Sequence, residues 1–193
     1  MPLPEPLQKI GDEILAYARA PSRNPPYSLY VYEPEEELAA RRDMTDLSAY
    51  LTANGADVAA ISLADLFWDA IDESGFYDDI IETERDNPGD PWALKQVHES
   101  LHEILTGEPS LADRVIAAVD DKPPGCAVIL YRAGALYPVF RTSALLDDLR
   151  ERLKRPVVLL YPGHVIEPYG LRFMGKCEPT HSYRAKIFTR SST

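Results

Sequence analysis

The sequence has only two cysteines, no long apolar run and few basic residues in its first two thirds. Cys126 and Cys177 are the only cysteines in 193 residues, so a disulfide framework of the kind that stabilises small secreted domains is not expected, and both thiols are predicted to be reduced. No apolar run reaches the length of about 18 residues that a membrane-spanning helix needs. The first fifteen residues lack the basic leader and the apolar segment of a signal peptide. Together these absences predict a cytoplasmic protein.

Recognisable catalytic motifs are also missing. The loop after the first predicted strand reads EPEEE over residues 33–37, where a P-loop would need glycines whose amides cradle phosphate. Carboxylates at this position would repel a polyphosphate, which argues against nucleotide hydrolysis by that mechanism. The chain has no G-x-S-x-G nucleophile elbow, and neither cysteine has an evident histidine partner in the sequence.

The net charge of −11 is distributed unevenly along the chain. Residues 126–193 contain eleven Lys or Arg and five Asp or Glu, a net charge of +6, which leaves −17 on residues 1–125. Because phosphates need a basic footprint, the acidic part argues against nucleic acid as the main ligand. The basic part could form a local patch, or it could pair with the acidic part within the fold. An acidic surface that faces a basic partner protein is a further alternative.

Two short apolar segments, Ala127–Tyr131 and Val157–Tyr161, predict the centre of the fold. Neither alternates polar with apolar residues, which is typical of strands buried on both faces. Between them a helix is predicted from Thr142 or Ser143, with four leucines on one face, and Pro156 ends it. Strand, helix and strand with both strands apolar favour a parallel pair joined by a right-handed crossover.

A second unit of the same kind precedes the first, and an acidic segment without a convincing strand separates the two. Residues 65–121 are predicted to form a helical insertion that packs on an edge or face of the sheet, with Asp90 and Ser110 as helix N-caps. The sequence therefore predicts a single α/β domain over residues 1–193, with an open, mostly parallel sheet flanked by helices. The other predicted elements are a helix over residues 6–19, a strand over Tyr27–Tyr32, a helix from Pro34 to about Ala53, a strand over Val58–Leu63 and a last strand over Tyr183–Thr189.

One catalytic-looking string does occur, because residues 98–102 satisfy H-E-x-x-H. Two histidines four positions apart share one face of a helix and can bind the same zinc ion, while the glutamate activates the bound water. A zinc-dependent hydrolase that uses His98, Glu99 and His102 is therefore an alternative function. The third ligand would come from Asp113, Asp120 or Asp121.

The periodicity of the same helix favours a different interpretation. A buried stripe at helical spacing would contain Leu94, Val97, Leu101, Ile104 and Leu105. This stripe places His98 at its edge, His102 further toward solvent and Glu99 well away from it. The two histidines would then be ordinary boundary residues of a packed helix.

A candidate binding site lies near the end of the second apolar strand. His164 follows Pro162 and Gly163 at the predicted carboxyl end of that strand, where open α/β folds bind ligands. An anion pocket there would use His164 together with Arg172, Lys176, Tyr183 and Arg184, with His181 close by in the sequence. The alternative is that Arg172 and Arg184 pair with acidic residues such as Glu167 and Glu178. A further function to consider is an anion- or nucleic-acid-binding module that uses Arg172, Lys176, Arg184 and Lys186.

Several strings of the chain resemble the BrxB family of BREX phage-defence systems. In the second half they are RAGALYPVFRTSALLDDL, PVVLLYPG, LRFMGK and YRAKIF, and in the first half they are YVYEPEEE and ISLADLFWDAI. The resemblance therefore extends over nearly the whole length, apart from the helical middle. The chain departs from it at Ser182, where relatives often carry an aromatic residue, and in the H-E-x-x-H string.

The resemblance implies a non-enzymatic accessory or adaptor component of a bacterial BREX complex. Such a component would support host DNA methylation and phage restriction through protein contacts, without a cofactor or a metal. The resemblance implies PglZ, an alkaline-phosphatase-like BREX protein, as the foremost direct partner. The family is encoded beside an adenine methyltransferase and a large ATPase as well, so other BREX components are further candidate partners.

Overall fold

The chain folds around one sheet with helices on both faces. A computed structural model describes residues 3–167, 170–181 and 183–190. Short 3-10 turns cover Pro34–Glu36 and Ala133–Leu136. The elements are α1 (Glu5–Arg19), β1 (Tyr27–Tyr32), α2 (Glu37–Ala53), β2 (Val58–Ser62), α3 (Leu63–Ser74), α4 (Tyr77–Asp86), α5 (Pro91–Thr106), α6 (Leu111–Ala117), β3 (Ala127–Tyr131), α7 (Thr142–Arg152), β4 (Val157–Ile166), β5 (Gly170–Phe173) and β6 (Lys186–Thr189).

The two apolar strands of the sequence form the middle of this sheet. The strand order is β2-β3-β4-β1-β6 with every neighbouring pair parallel, and β5 pairs with β4 in the antiparallel direction. Val128 lies opposite Val157, and Leu130 lies opposite Leu159. The predicted parallel pair and the predicted open, mostly parallel α/β sheet are therefore confirmed.

The consecutive strands β1 and β2 are not neighbours, because β3 and β4 lie between them. The burial of the two strands explains this order. All six residues of β1 are buried, whereas Ala60 in β2 is exposed. A strand with apolar residues on both faces is stabilised more between two other strands than at the edge of a sheet. A partly exposed strand can lie at the edge.

Helices cover both faces of the sheet and bury them separately. On one face α1 and α2 pack against Tyr30, Ile129 and Leu160, and on the other α3, α5, α6 and α7 pack against strand residues that include Leu29 and Val128. Successive strand residues such as Leu29 and Tyr30 point to opposite faces. Both are almost completely buried, and burying a large apolar side chain stabilises the fold by about 1.5–3 kcal/mol.

The predicted helical insertion corresponds to helices α3 to α6, which connect β2 to its neighbour β3. Both predicted N-caps are confirmed. The Asp90 carboxylate accepts a hydrogen bond from the Trp92 amide, and Ser110 forms a reciprocal capping box with Asp113. Among the residues described above, none of the helices combines the length and the apolar character needed to cross a membrane.

Two strand boundaries differ from the prediction near the C-terminus. Strand β4 does not end at Tyr161 but continues to Ile166, and its last part pairs with β5. The final strand begins at Lys186 instead of Tyr183. Tyr183 is drawn out of the strand because its ring packs edge-to-face on the buried Tyr161, with the ring centroids 5.6 Å apart.

The basic C-terminal part pairs with the acidic part of the chain, as one of the two sequence interpretations expected. Arg190 contacts Glu36 and Asp43, Lys186 contacts Glu13, Arg152 contacts Asp113, Arg132 contacts Asp65, and His164 contacts Glu33. In each of these pairs the basic side chain comes from residues 126–193 and the carboxylate from residues 1–125. Four of the eleven Lys and Arg residues of 126–193 pair with the acidic part in this way, so a part of the charge asymmetry is an internal complementarity of the fold.

Asp113 should titrate well below an ordinary aspartate, because its carboxylate accepts hydrogen bonds from the Arg152 guanidinium and from the Ser110 hydroxyl and amide. These contacts, Arg152 first, lower the pKa of Asp113 to about 2. Since the folded-state pKa is depressed, the stabilisation is present above the unfolded pKa of about 4 and is lost as the pH falls toward 2. We expect an NMR titration of the Asp113 carboxyl carbon to show a midpoint near 2.

The variant R152A should move this midpoint upward, because it removes the largest cause of the shift. R155A is the matched control, since Arg155 donates to the backbone carbonyls of Lys122 and Pro123 instead. A midpoint that is the same in wild type and R152A would contradict the assigned cause.

Candidate functional site

Three of the five predicted binding residues lie together in the β4–β5 hairpin and the turn that follows it, near the carboxyl ends of β1 and β4. His164 lies in the continuation of β4, directly opposite Arg172 on β5. The His164 Nδ1 atom is 2.9 Å from the Glu33 carboxylate, which follows β1. Lys176 is exposed in the turn after β5. The hairpin that β4 and β5 form therefore brings these three side chains to one edge of the sheet.

The other two predicted residues lie elsewhere. The Tyr183 hydroxyl is 3.0 Å from the Thr142 hydroxyl, and its ring packs against Tyr161 as part of the core. The backbone carbonyl of Arg184 accepts a hydrogen bond from Arg150, whose guanidinium lies over the ring of Tyr27 at the start of β1. Arg184 is thus at the amino end of the sheet, so the five residues do not line one pocket. A binding role for any of them stays a prediction.

A cleft of about 330 Å³ lies between the ends of β1, β4 and β6. We call this side of the sheet, where the parallel strands end, the carboxyl edge. The His164 and Arg190 side chains that line the cleft already contact carboxylates. An anion that entered this cleft would have to displace those carboxylates. The suggested pairing of Arg172 and Arg184 with Glu167 or Glu178 is not seen, since no ion pair joins these residues in the described chain.

The H-E-x-x-H helix corresponds to α5, and its histidines are boundary residues. His98 is half-buried, while His102 and Glu99 are exposed. The His102 Nδ1–H donates to the carbonyl of Val139 at 2.9 Å, and its ring lies against Phe140. No group of three or more potential metal ligands is found among the residues that the structure describes.

One of the proposed third zinc ligands already binds other groups of the chain, and one residue of the predicted buried stripe of α5 is exposed. Asp113 is engaged by Arg152 and Ser110. Leu94 is exposed, although the periodicity had placed it in the buried stripe. Nothing in this geometry favours the zinc hydrolase alternative.

A groove of about 610 Å³ lies in the helical insertion, between α3, α4, α5 and the beginning of α6. We call it the insertion groove. Its apolar lining residues are Ala70, Phe76, Ile80, Val97, Ile104 and Pro109, and its carboxylates are Glu73, Asp79, Glu103 and Glu108. This volume is within the usual range for binding pockets. The sequence interpretation did not identify this site.

Large hydrophobic side chains are exposed on the insertion, and Phe76 among them lines the groove. The exposed set in the insertion is Trp68, Phe76, Tyr77, Trp92 and Leu94. Trp92 is 65 % exposed and precedes Gln96, Ser100 and Glu103 of the groove at spacings of four, eight and eleven residues, so it lies on the same helical face. Exposed aromatic residues of this kind are enriched at the centres of protein–protein interfaces. The surface therefore has the composition of a protein-binding site.

The groove is strongly acidic. Residues 65–121 contain sixteen Asp or Glu and three Lys or Arg, a net charge of −13. The one cationic residue of its lining, Arg114, is mostly buried, and its guanidinium contacts Glu73 at 2.8 Å. The potential along the groove is therefore negative and favours a cationic ligand.

A signal for this surface was present in the sequence. Helix α4 has apolar residues at helical spacing, yet none of its residues is fully buried. Trp68 and Trp92 fall outside the apolar stripes of their own helices. Exposed tryptophans next to an incompletely buried amphipathic helix indicate an interaction surface.

Comparison with known proteins shows the family of the chain. The family model described as BREX protein BrxB matches residues 59–188, about two thirds of the chain. The matched span begins in β2 and ends in β6, so it includes the whole insertion. No curated protein and no solved structure matches the chain. The noted departure at Ser182 lies outside the residues that the structure describes.

Proposed function

The chain belongs to the BREX protein BrxB family, and from that premise we propose that it is a non-enzymatic adaptor of a BREX defence complex. The adaptor acts in the bacterial cytoplasm, where it supports host DNA methylation and phage restriction by holding other components together. PglZ is its proposed direct partner. The observation that carries the proposal is the insertion groove with its exposed aromatic residues, which lies inside the matched span.

Two features support an adaptor over an enzyme. Arg190, at the carboxyl edge of the sheet where open α/β enzymes bind substrates, is bound to Glu36 and Asp43 of the chain itself, and His164 there contacts Glu33. The insertion, in contrast, exposes apolar side chains that no other part of the described chain covers. Burial of such side chains against a partner is the main source of binding energy in protein complexes.

We also propose His164, Arg172 and Lys176 as peripheral contact residues at the carboxyl edge.

The test is co-purification from cells that express the tagged chain together with PglZ and the methyltransferase. We expect PglZ to co-elute with the wild type, and W92A to reduce co-elution about tenfold or more, because truncating an interface tryptophan typically costs about 2 kcal/mol or more. L38A is the matched control, since Leu38 is 68 % exposed, much like Trp92, but lies on α2. It should co-elute as the wild type does.

Two further measurements complete this test. Thermal unfolding should show that W92A and L38A leave the fold intact, since both positions are exposed. If neither PglZ nor the methyltransferase co-elutes, and deleting the gene leaves host methylation and phage restriction unchanged, the adaptor function is wrong.

A further inference from the structure

The insertion groove is formed entirely by helices and the turns between them. The backbone amides and carbonyls of helix interiors are already hydrogen-bonded, so the groove offers no free strand edge to which an extended peptide could add. Grooves between helices with an apolar floor typically receive one face of an amphipathic helix. The geometry therefore favours a helical ligand over an extended one.

The two ends of the groove differ in charge. Asp79, Glu103 and Glu108 lie at the end near α6, while Thr83 and Gln96 line the end next to the α4–α5 turn. The exposed Trp92 extends the uncharged end. A ligand that matches both ends has Lys or Arg toward α6 and apolar residues toward Trp92. Acidic or strongly phosphorylated ligands are disfavoured, because the insertion carries a net charge of −13 over residues 65–121.

We propose that the insertion groove binds a basic, amphipathic helix of a partner protein. The apolar face of that helix packs on Ile80, Val97 and Ile104, and its Lys or Arg side chains contact Asp79 and Glu103. Glu73 is paired with Arg114 in the groove wall. Because this pair offsets its charge, Glu73 contributes to the shape of the groove more than to its negative potential. This inference rests on the proposed adaptor function and specifies the chemistry of the segment that the adaptor recognises.

The test uses a fluorescent model peptide of about 18 residues, with leucines at i, i+3, i+4 and i+7 spacing and lysines between them. Fluorescence anisotropy against the full chain measures its dissociation constant. The groove variant D79K/E103K reverses two carboxylates of the lining, and the control variant D78K/E82K reverses two exposed carboxylates of α4 that do not line the groove. Both variants change the net charge by the same amount, and Asp78 and Asp79 both lie in the first turn of α4.

We expect the lysine peptide to bind the wild type, D79K/E103K to weaken binding about tenfold or more, and D78K/E82K to weaken it less than about twofold. A peptide with glutamates in place of the lysines should not bind. Equal weakening by the two variants would mean that the peptide senses only the overall charge, and it would overturn the proposal. Failure of the lysine peptide to bind, or equal binding of the glutamate peptide, would do the same.

Co-purification separates this inference from the adaptor function. If the wild type and D79K/E103K retain PglZ equally, the groove is not the contact and the adaptor function stands. If the lysine peptide binds the groove as expected but no BREX component co-elutes, the adaptor function fails and the groove still recognises basic helices.

Discussion

Replacing Arg190 with alanine is expected to destabilise the protein by about 3 kcal/mol, because it breaks a largely buried charge cluster. The Arg190 Nε is 2.7 Å from Asp43, and its Nη1 is 2.7 Å from Glu36. Arg190 and Asp43 side chains are each only 14 % exposed. The Tyr30 hydroxyl donates to the same Asp43 carboxylate at 2.7 Å. Without the guanidinium, two carboxylates would remain in a poorly solvated site with no cation beside them.

The measurement is the free energy of unfolding from urea denaturation, and K186A is its control. Lys186 also forms an ion pair at 2.7 Å, with Glu13, but its side chain is 66 % exposed. Exposed ion pairs contribute about 0–1 kcal/mol, so K186A should change the free energy little. If R190A costs no more than K186A, the cluster around Asp43 does not hold the end of β6 to α2 as described here.

The fold could be predicted because its central strands have an unambiguous composition. Strands buried on both faces consist of apolar residues at every position, and the segments around Val128 and Leu159 have that composition. The order of the strands could not be predicted, because it depends on which strands bury both faces in the assembled sheet. The alternation in β2, where Ala60 is exposed, is too short to mark an edge strand.

The location of the candidate site was harder to predict, for a different physical reason. Closeness in sequence grouped His164 with Tyr183 and Arg184. The last strand, however, runs parallel to β4. Residues just before β6 therefore lie at the amino ends of the strands, away from His164 in the carboxyl-terminal part of β4. The insertion groove depends on how α3, α4 and α5 pack against one another, and helical periodicity describes each helix only by itself.

Substituting Gly163 with alanine is expected to destabilise the protein by about 3 kcal/mol and to disrupt the β4–β5 hairpin. A Cβ atom at this position would lie 2.3 Å from the backbone carbonyl oxygen of Arg172 and 2.8 Å from the ring of the buried Tyr161. The first obstacle is backbone of the paired strand, and the second is a core side chain, so neither can move without breaking other contacts. Gly163 is the last residue of the Tyr-Pro-Gly string on which the family resemblance partly rests.

The control variant for this prediction is G55A. Gly55 also has a positive φ of +83°, but a Cβ there meets no atom within 4 Å. G55A therefore measures the cost of the backbone conformation alone, about 1–2 kcal/mol. Urea denaturation gives both free energies. Hydrogen exchange at the Met174 amide, which directly follows β5 and donates to the Pro162 carbonyl of β4 at 2.9 Å, reports whether the hairpin has opened. Because the clash displaces Arg172 from its position opposite His164, G163A should speed exchange of this amide while G55A leaves it unchanged. Equal costs for the two variants, with this amide still protected, would show that the hairpin can widen enough to accept a methyl group.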